Sequence, residues 1–283
     1  MALPDPDPNS TCLVTGASSG IGAATVAMLA ADGWRVFAGM HSAADAGGAY
    51  DPGVVAVHLD VTSEESIAAG VERVREETGG RLDAVVNNAG IPGAGPVETL
   101  SLDTFRGVIE TNLIGTFAVT KACLPMLRAS AGRVVIVSSL GGRVAFPYAS
   151  AYHASKFGVE GLAESLRAEV RPLDVDVVVI EPASMATAIW EKGRDSLAES
   201  RATMTPEQLE VYGSGVDTFD ERLKSAEDSE DPREVASAIR EALSAKSPNE
   251  RYPVGRGART LATLRPLLPD ALYDRIAARV AGG

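Results

Sequence analysis

Thr11-Cys12-Leu13-Val14-Thr15-Gly16-Ala17-Ser18-Ser19-Gly20-Ile21-Gly22 is the stretch that decides the fold. Its first four residues form the short apolar run of a parallel strand covered on both faces. A helical pattern follows over residues 23–31, with Asp32-Gly33 as its C-terminal cap. A glycine-rich turn between strand and helix aims backbone N–H groups and the positive helix end at a pyrophosphate. The spacing is G-x-x-x-G-x-G, and glycines occur in any tight strand-to-helix turn. Its place at the first strand of the chain, opening a helix, favours a dinucleotide site.

Working outward, further apolar runs at residues 34–39, 54–59, 82–86, 133–137, 175–180 and 251–254 read as strands, with helical patterns between most of them. This alternation predicts an α/β fold with a parallel sheet. Ser63 should cap a helix running to residue 78, its acids on the first turn. Residues 101–127 read as one long helix with Asn112 in its middle, where propensity disfavours asparagine. Residues 149–171 form another, and Asp231-Pro232 opens a third. The segment 42–53 reads as a connecting loop or frayed helix. Residues 188–231 break the alternation, being acidic with scattered apolar positions. The tail from residue 260 is leucine-rich but cut by Pro266 and Pro269, which predicts short helices packed over the cleft or against another subunit.

Composition bounds the partners. The 283 residues suit one large domain with a full core. A net charge of −12 argues against nucleic acid or an anionic membrane as partner. Cys12 and Cys123 lie in apolar runs and read as reduced core residues. No apolar run approaches the length of a membrane span, and residues 1–9 are rich in Pro and Asp without a signal-peptide core. A cytoplasmic protein acting on a small molecule, with no resident metal, is the expectation.

The second informative stretch is Tyr152-His153-Ala154-Ser155-Lys156, which follows Ser138-Ser139 at the end of a strand run. On a helix, positions i and i+4 share a face, so phenol and ammonium meet. Bringing a phenol from near 10 to near 7 takes roughly 4 kcal/mol of phenolate stabilisation, which a fixed ammonium in a partly dry cleft can supply. A solvated surface pair is the plainer alternative. Position decides between them, because ligands bind at the carboxyl ends of strands in an open α/β sheet.

Taken together, Thr15-Gly16 to Gly22, Asn87-Asn88-Ala89-Gly90, Asn112, Ser139, Tyr152 and Lys156 resemble the short-chain dehydrogenase/reductase family. The run from Ser139 to Leu162 is most similar to its steroid and retinol dehydrogenase branch. The resemblance implies a Rossmann-like doubly wound, seven-stranded parallel sheet of order 3-2-1-4-5-6-7. It implies that residues 10–187 bind cofactor and carry catalysis, that 188–231 form a substrate lid, and that 232–283 complete the single domain. Tyr152 is then the general acid/base and Lys156 the group that lowers its pKa and holds the nicotinamide ribose. Ser139 binds the substrate oxygen, and Asn112 holds a water in a proton path from Lys156. Gly16, Ser18, Ser19, Gly20, Ile21 and Gly22 would cradle NADP or NAD, with Asn88, Ala89 and Gly90 along it. Asp60 and Val61 would meet the adenine and Pro182 and Thr187 the nicotinamide edge. Ala183 stands where the family usually has glycine, so the backbone there must avoid positive φ.

Met40 stands where NAD-preferring members carry Asp, and His41 where many NADP-preferring members carry Arg. The missing acid and the presence of His41 lean the expectation to NADP. Ile189, Trp190 and Tyr212 are the candidate substrate contacts. The expected activity is hydride transfer with a lipophilic secondary alcohol or ketone, or a primary alcohol or aldehyde, in a homodimer or homotetramer. The alternatives are a 3-oxoacyl thioester reductase and a non-catalytic dinucleotide-sensing protein.

Overall fold

The computed structural model describes residues 10–42 and 51–280; the leader 1–9 and most of the connecting segment 42–53 lie outside them. Strands β1 (Thr11–Thr15), β2 (Arg35–Met40), β3 (Val54–His58), β4 (Ala84–Asn87), β5 (Arg133–Val137), β6 (Asp176–Pro182) and β7 (Arg251–Val254) form a parallel seven-stranded sheet. Its order is β3-β2-β1-β4-β5-β6-β7, as the resemblance implied. The order reverses between β1 and β4, which opens a crevice at their carboxyl ends.

Alternation along each strand divides the core into two apolar layers. Leu13, Phe37, Val85, Val134 and Ile136 point to one face. Cys12, Val14, Val36, Val86, Val135 and Val137 point to the other. Helices α1 (Gly20–Ala31) and α8 (Pro232–Ser244) cover the second layer through Val26, Leu29, Val235 and Ile239. Helices α2 (Glu64–Glu77), α4 (Gly115–Ser130) and α5 (Ser150–Val170) cover the first, through Val71, Val74, Val119, Leu127, Val159 and Ala163. Cover on both faces is why the strands read as unbroken apolar runs.

Two boundaries differ from the sequence reading in ways that matter at the site. Strand β6 continues through Glu181 to Pro182, which pairs with Val254. Glu181 tolerates full burial there because Arg143 and Arg251 reach its carboxylate at 3.1 and 3.2 Å. Ala183 adds an N–H bond to Val254 O at 2.8 Å and does not take a positive φ, so the alanine is accommodated by extending the strand. The single helix expected over 101–127 is instead three pieces. Helix α3 (Leu102–Ile109) passes into a π-helical turn, Glu110–Ile114, and then into α4. The wide turn falls on Asn112, whose amide reaches Ile91 and Ser155.

Residues beyond β6 form α6 (Ile189–Ala202) and α7 (Pro206–Glu227), packed on each other. Leu197, Met204, Val216 and Leu223 make a small core of their own with Ala94. The tail forms α9 (Ala258–Leu264), a 3-10 turn and α10 (Asp270–Val280), the prolines cutting it as expected. Among the described residues, no helix is long and apolar enough to cross a membrane.

Candidate active site

The crevice is a cleft of about 700 Å³ running from the glycine turn to the α6–α7 pair. Gly16 and Gly20 have φ of +63° and +54°, a left-handed backbone that glycine alone adopts at little cost. A Cβ on Gly16 would stand 2.8 Å from Ala89 Cα, and one on Gly22 would stand 2.2 Å from Gly16 O. Ser19 precedes α1 in extended backbone without capping it through its side chain, which leaves the first N–H groups of the helix to an anion. The turn therefore fits a pyrophosphate: close backbone approach, no intruding side chain and a positive helix end.

Asn88 anchors this cradle, its Nδ2 donating to Thr15 O at 3.0 Å and Gly16 O at 3.1 Å. The Thr15 hydroxyl in turn accepts from the N–H groups of Asn88 and Ala89. Neighbouring Asn87 turns inward to Thr120 at 2.9 Å. Two polar residues at a strand end are thus spent on joining β1, β4 and α4.

Gly16, Ser18, Ser19, Gly20, Ile21, His41, Asp60, Val61, Asn88, Ala89, Gly90, Pro182 and Thr187 all border the cleft. Gly22 lies beneath the turn. Thr187 rests on Gly20, where an added Cβ would meet its methyl at 3.1 Å. Asp60 accepts from Thr62 N and Oγ1 at 2.9 and 2.7 Å and faces His41 Nε2 at 3.4 Å. Partial burial would raise its pKa, but the Thr62 bonds and the two nearby histidines outweigh that and hold it below the usual range. His41 therefore faces a carboxylate at the edge of the cleft.

Ser139, Tyr152 and Lys156 converge on the other side of the cofactor cradle. Strand β5 delivers Ser139, and α5 carries Tyr152 and Lys156 one turn apart. Ser139 is the serine whose hydroxyl acts on the Tyr152 phenol across the cleft, while Ser138 is buried with its hydroxyl unpartnered. Burial pushes the Tyr152 phenol above its ordinary value, and the Ser139 hydroxyl pulls the other way. The Lys156 ammonium is 5.8 Å from the centre of the Tyr152 ring and donates to Val137 O at 2.9 Å. Its burial lowers the amine to about 8, against the opposing pull of Glu160. The ammonium thus sits beside the ring of a phenol that burial holds above its ordinary value.

Asn112 does not border the cleft. Its Oδ1 accepts from Ile91 N at 2.8 Å, and its Nδ2 donates to Ile91 O and Ser155 Oγ, both at 3.0 Å. That spends both amide hydrogens on bracing the segment after Gly90 and the catalytic helix.

The end of the cleft away from the glycine turn is walled by Ile91, Pro92, Ile189, Trp190, Phe219 and Leu223, with exposed Lys192 among them. Ile189 and Trp190 thus border the cleft; the Trp190 indole donates to Met185 O at 2.6 Å. Tyr212 does not. It lies on the outer half of α7, where its hydroxyl donates to Glu98 at 2.8 Å, outside the cleft. Tyr212 shares a face of α7 with Phe219 and packs on the same small core, but it lies about 10 Å further along the helix axis, beyond the cleft. Phe219 and Leu223, further along the same helix, fill the place assigned to it.

The loop 143–149 between Ser139 and Tyr152 is held from outside. Tyr148 has φ +67°, and its hydroxyl presses into α7 at Gly215, where a Cβ would be 1.9 Å away. The tail reaches the same loop: Tyr273 hydrogen-bonds both N and O of Ala145, and α9 packs Ala258 and Ala262 on Leu140. The tail thus flanks the loop and does not border the cleft.

Similarity to known proteins agrees with this geometry. Residues 10–198 match the family model described as short chain dehydrogenase. Human retinol dehydrogenase 16 is 37% identical over 93% of this chain and 86% of its own. Rat mitochondrial D-beta-hydroxybutyrate dehydrogenase is 37% identical over 85% and 75%, and bovine 17-beta-hydroxysteroid dehydrogenase type 6 is 34% identical over 94% and 87%. Among solved structures, a short chain dehydrogenase from Burkholderia cenocepacia in complex with NADP superposes with a TM-score of 0.73 at 26% identity, over 94% of this chain and 97% of that one. With the glycine cradle, the parallel sheet order and these relatives in agreement, the chain is a member of the short-chain dehydrogenase/reductase family of nicotinamide-dependent oxidoreductases, on its steroid- and retinol-dehydrogenase-like side.

Proposed function

We propose that the protein moves a hydride between nicotinamide C4 and the carbinol or carbonyl carbon of a lipophilic alcohol, ketone or aldehyde. The observation that carries this reading is the convergence of Ser139 and Tyr152 on the cleft, with the buried Lys156 ammonium beside the ring. The mostly apolar wall of Ile91, Pro92, Ile189, Trp190, Phe219 and Leu223 supports the lipophilic part.

Gly16 to Gly20, Asn88 to Gly90 and Thr187 would hold the cofactor, with Lys156 on the nicotinamide ribose. When bound, the nicotinamide supplies or accepts the hydride. Ser139 holds the substrate oxygen and Tyr152 exchanges its proton: taking it in oxidation, giving it in reduction. For that the phenol must lose most of the upward push of burial. The Lys156 charge, drawn from Val137 toward the ring and ribose, supplies the opposing field. Asn112 holds Ile91 and Ser155 in place, beside the proton path implied for it. Helices α6 and α7 act as the substrate lid of a single domain. The exposed apolar residues Ile114 in the π turn, Phe117 on α4 and Phe157 on α5 support pairing with a second copy, and we propose the cytoplasm as its location.

For the cofactor we favour NADP, because Met40 offers no carboxylate against a 2′-phosphate. The His41–Asp60 contact works against that preference and makes the ratio of the two cofactors a quantity to measure. Lys192 at the cleft supports a second reading, in which the substrate carries an anionic group, such as a 3-oxoacyl thioester or hydroxy acid.

Nicotinamide absorbance with NAD and NADP in parallel tests all of this, run against steroids, retinoids, aliphatic alcohols, hydroxy acids and 3-hydroxyacyl thioesters. Tyr152→Phe should abolish turnover and leave cofactor affinity within about threefold. Turnover retained in that variant overturns the acid/base role. Tight cofactor binding with no turnover on the whole panel returns the dinucleotide-sensing alternative.

A further inference from the structure

His153 belongs to the catalytic stretch by sequence, yet it turns away from the cleft. It is 8% exposed, on the side of α5 that faces the loop behind Tyr152. Its Nδ1 is 2.8 Å from Gly141 O, and its Nε2 accepts from Phe146 N–H at 3.0 Å. A carbonyl only accepts and a backbone N–H only donates, so a single neutral tautomer, protonated on Nδ1, satisfies both. The ring also stands edge-on to Phe146 and Tyr152, with centroids 6.2 and 6.1 Å apart. There is little room for it to be elsewhere: a Cβ on Gly141 would lie 3.1 Å from both His153 Nδ1 and Tyr152 Cε1.

A buried histidine with two partners is usually just a satisfied core residue. What separates this one is where its partners lead. Gly141, whose carbonyl His153 holds, donates its own N–H to Ser139 Oγ at 2.9 Å. Ser139 and Tyr152 both face the cleft, and Tyr152 is joined to His153 by a peptide bond. The path from Tyr152 through His153 and Gly141 thus ends on Ser139, and its two ends flank the position proposed for the substrate oxygen. Phe146 brings the following loop into the same path.

We propose that His153 is a positioning residue that sets the separation of Ser139 and Tyr152 by tying the Ser139 turn and the loop 143–149 to the catalytic helix. This rests on the roles proposed above for Ser139 and Tyr152. A displacement of about 1 Å at such a site costs on the order of a hundredfold in rate, so loss of the tie reads out in turnover.

The test compares His153→Phe, His153→Gln and His153→Asn with wild type and Tyr152→Phe. Phe keeps the ring volume and loses both bonds. The Gln carbonyl stands near Nε2 and serves Phe146 alone; the Asn amide stands near Nδ1 and serves Gly141. Phe and Gln should lower kcat at least tenfold, with substrate KM and cofactor Kd within threefold of wild type. Asn should recover a good part of that loss, since the Gly141 link is the one that continues to Ser139. Imidazole nitrogen shifts read by NMR should show His153 neutral and protonated on Nδ1 at pH 7, a readout independent of activity. A folded His153→Phe with kcat within twofold of wild type overturns the proposal, as does an Asn variant no better than Phe, or the other tautomer. Where His153→Phe does not fold, the Asn and Gln variants and the tautomer decide. A wild type inactive on every substrate defeats the functional reading itself, which an active wild type with an indifferent His153 does not.

Discussion

The two ends of the cleft are built on different principles. At the cofactor end, backbone does the work. The turn from Gly16 to Gly22 approaches its neighbours so closely that an added methyl collides, and Asn88 and Thr15 lock it to the sheet with four hydrogen bonds. At the substrate end, side chains of α6 and α7 do the work, backed by a core of their own. The first end leaves no room for larger residues at Gly16 or Gly22; the second can change lining while the sheet stays intact. A family in which retinol, hydroxysteroid and hydroxybutyrate dehydrogenases are all similar to one chain is consistent with that division.

The sharpest way to break the comparison is at Gly22. Gly22→Ala puts a methyl into Gly16 O, so cofactor affinity measured by nicotinamide fluorescence should fall at least a hundredfold, or the protein should fail to fold. A tolerated Gly22→Ala substitution would remove the claim that this end is backbone-limited. Asn88→Ala leaves the turn carbonyls without their donor and should cost about 1–3 kcal/mol in urea unfolding, with weaker cofactor binding. At the other end, Phe219→Ala or Trp190→Ala should change substrate kcat/KM by ten- to a hundredfold, equivalent to roughly 1–3 kcal/mol. Cofactor affinity should move less than threefold.

Lys156 belongs to both ends, and it makes a stability prediction of definite sign. Its amine is near 8 in the fold, against about 10.5 unfolded. Below pH 8 the ammonium is charged in both states and burial costs the fold in full; the cost disappears as pH rises to about 10.5. Lys156→Met should therefore raise unfolding stability at pH 7 by about 2 kcal/mol after allowing for the lost Val137 bond. The gain should vanish near pH 10.5, with turnover lost throughout. Equal stability changes at both pH values would mean the buried charge is not the cause. The smallest effect is expected at Tyr212→Phe. With that hydroxyl bound to Glu98 outside the cleft, kcat/KM should stay within twofold.

How much of this was legible in the sequence follows the same division. The strands read cleanly because burial on both faces leaves no polar position to confuse them, and strands 133–137 and 251–254 fell on the residues read for them. The glycine turn was legible because only glycine meets its backbone demands. Asn112 could be singled out by resemblance, but the π turn that holds it carries no pattern of its own. Tyr212 was misplaced because it lies on the same inward face of α7 as Phe219, and spacing alone does not say how far along the helix the cleft reaches. The roles of His153 and Tyr148 were invisible for a related reason. Each depends on what the fold brings to it from another element, and no local spacing encodes that.

The seating of Tyr148 against Gly215 has a practical corollary. A left-handed tyrosine on the loop behind Tyr152 is keyed into the helix that lines the substrate end, so substrate range is not a module that can be exchanged by itself. Grafting residues 189–227 from a relative would replace the keyhole while leaving the key. Any residue larger than glycine at 215 would push on Tyr148, and through that loop on Ser139. Such chimeras should recover activity only when positions 148 and 215 are exchanged as a pair.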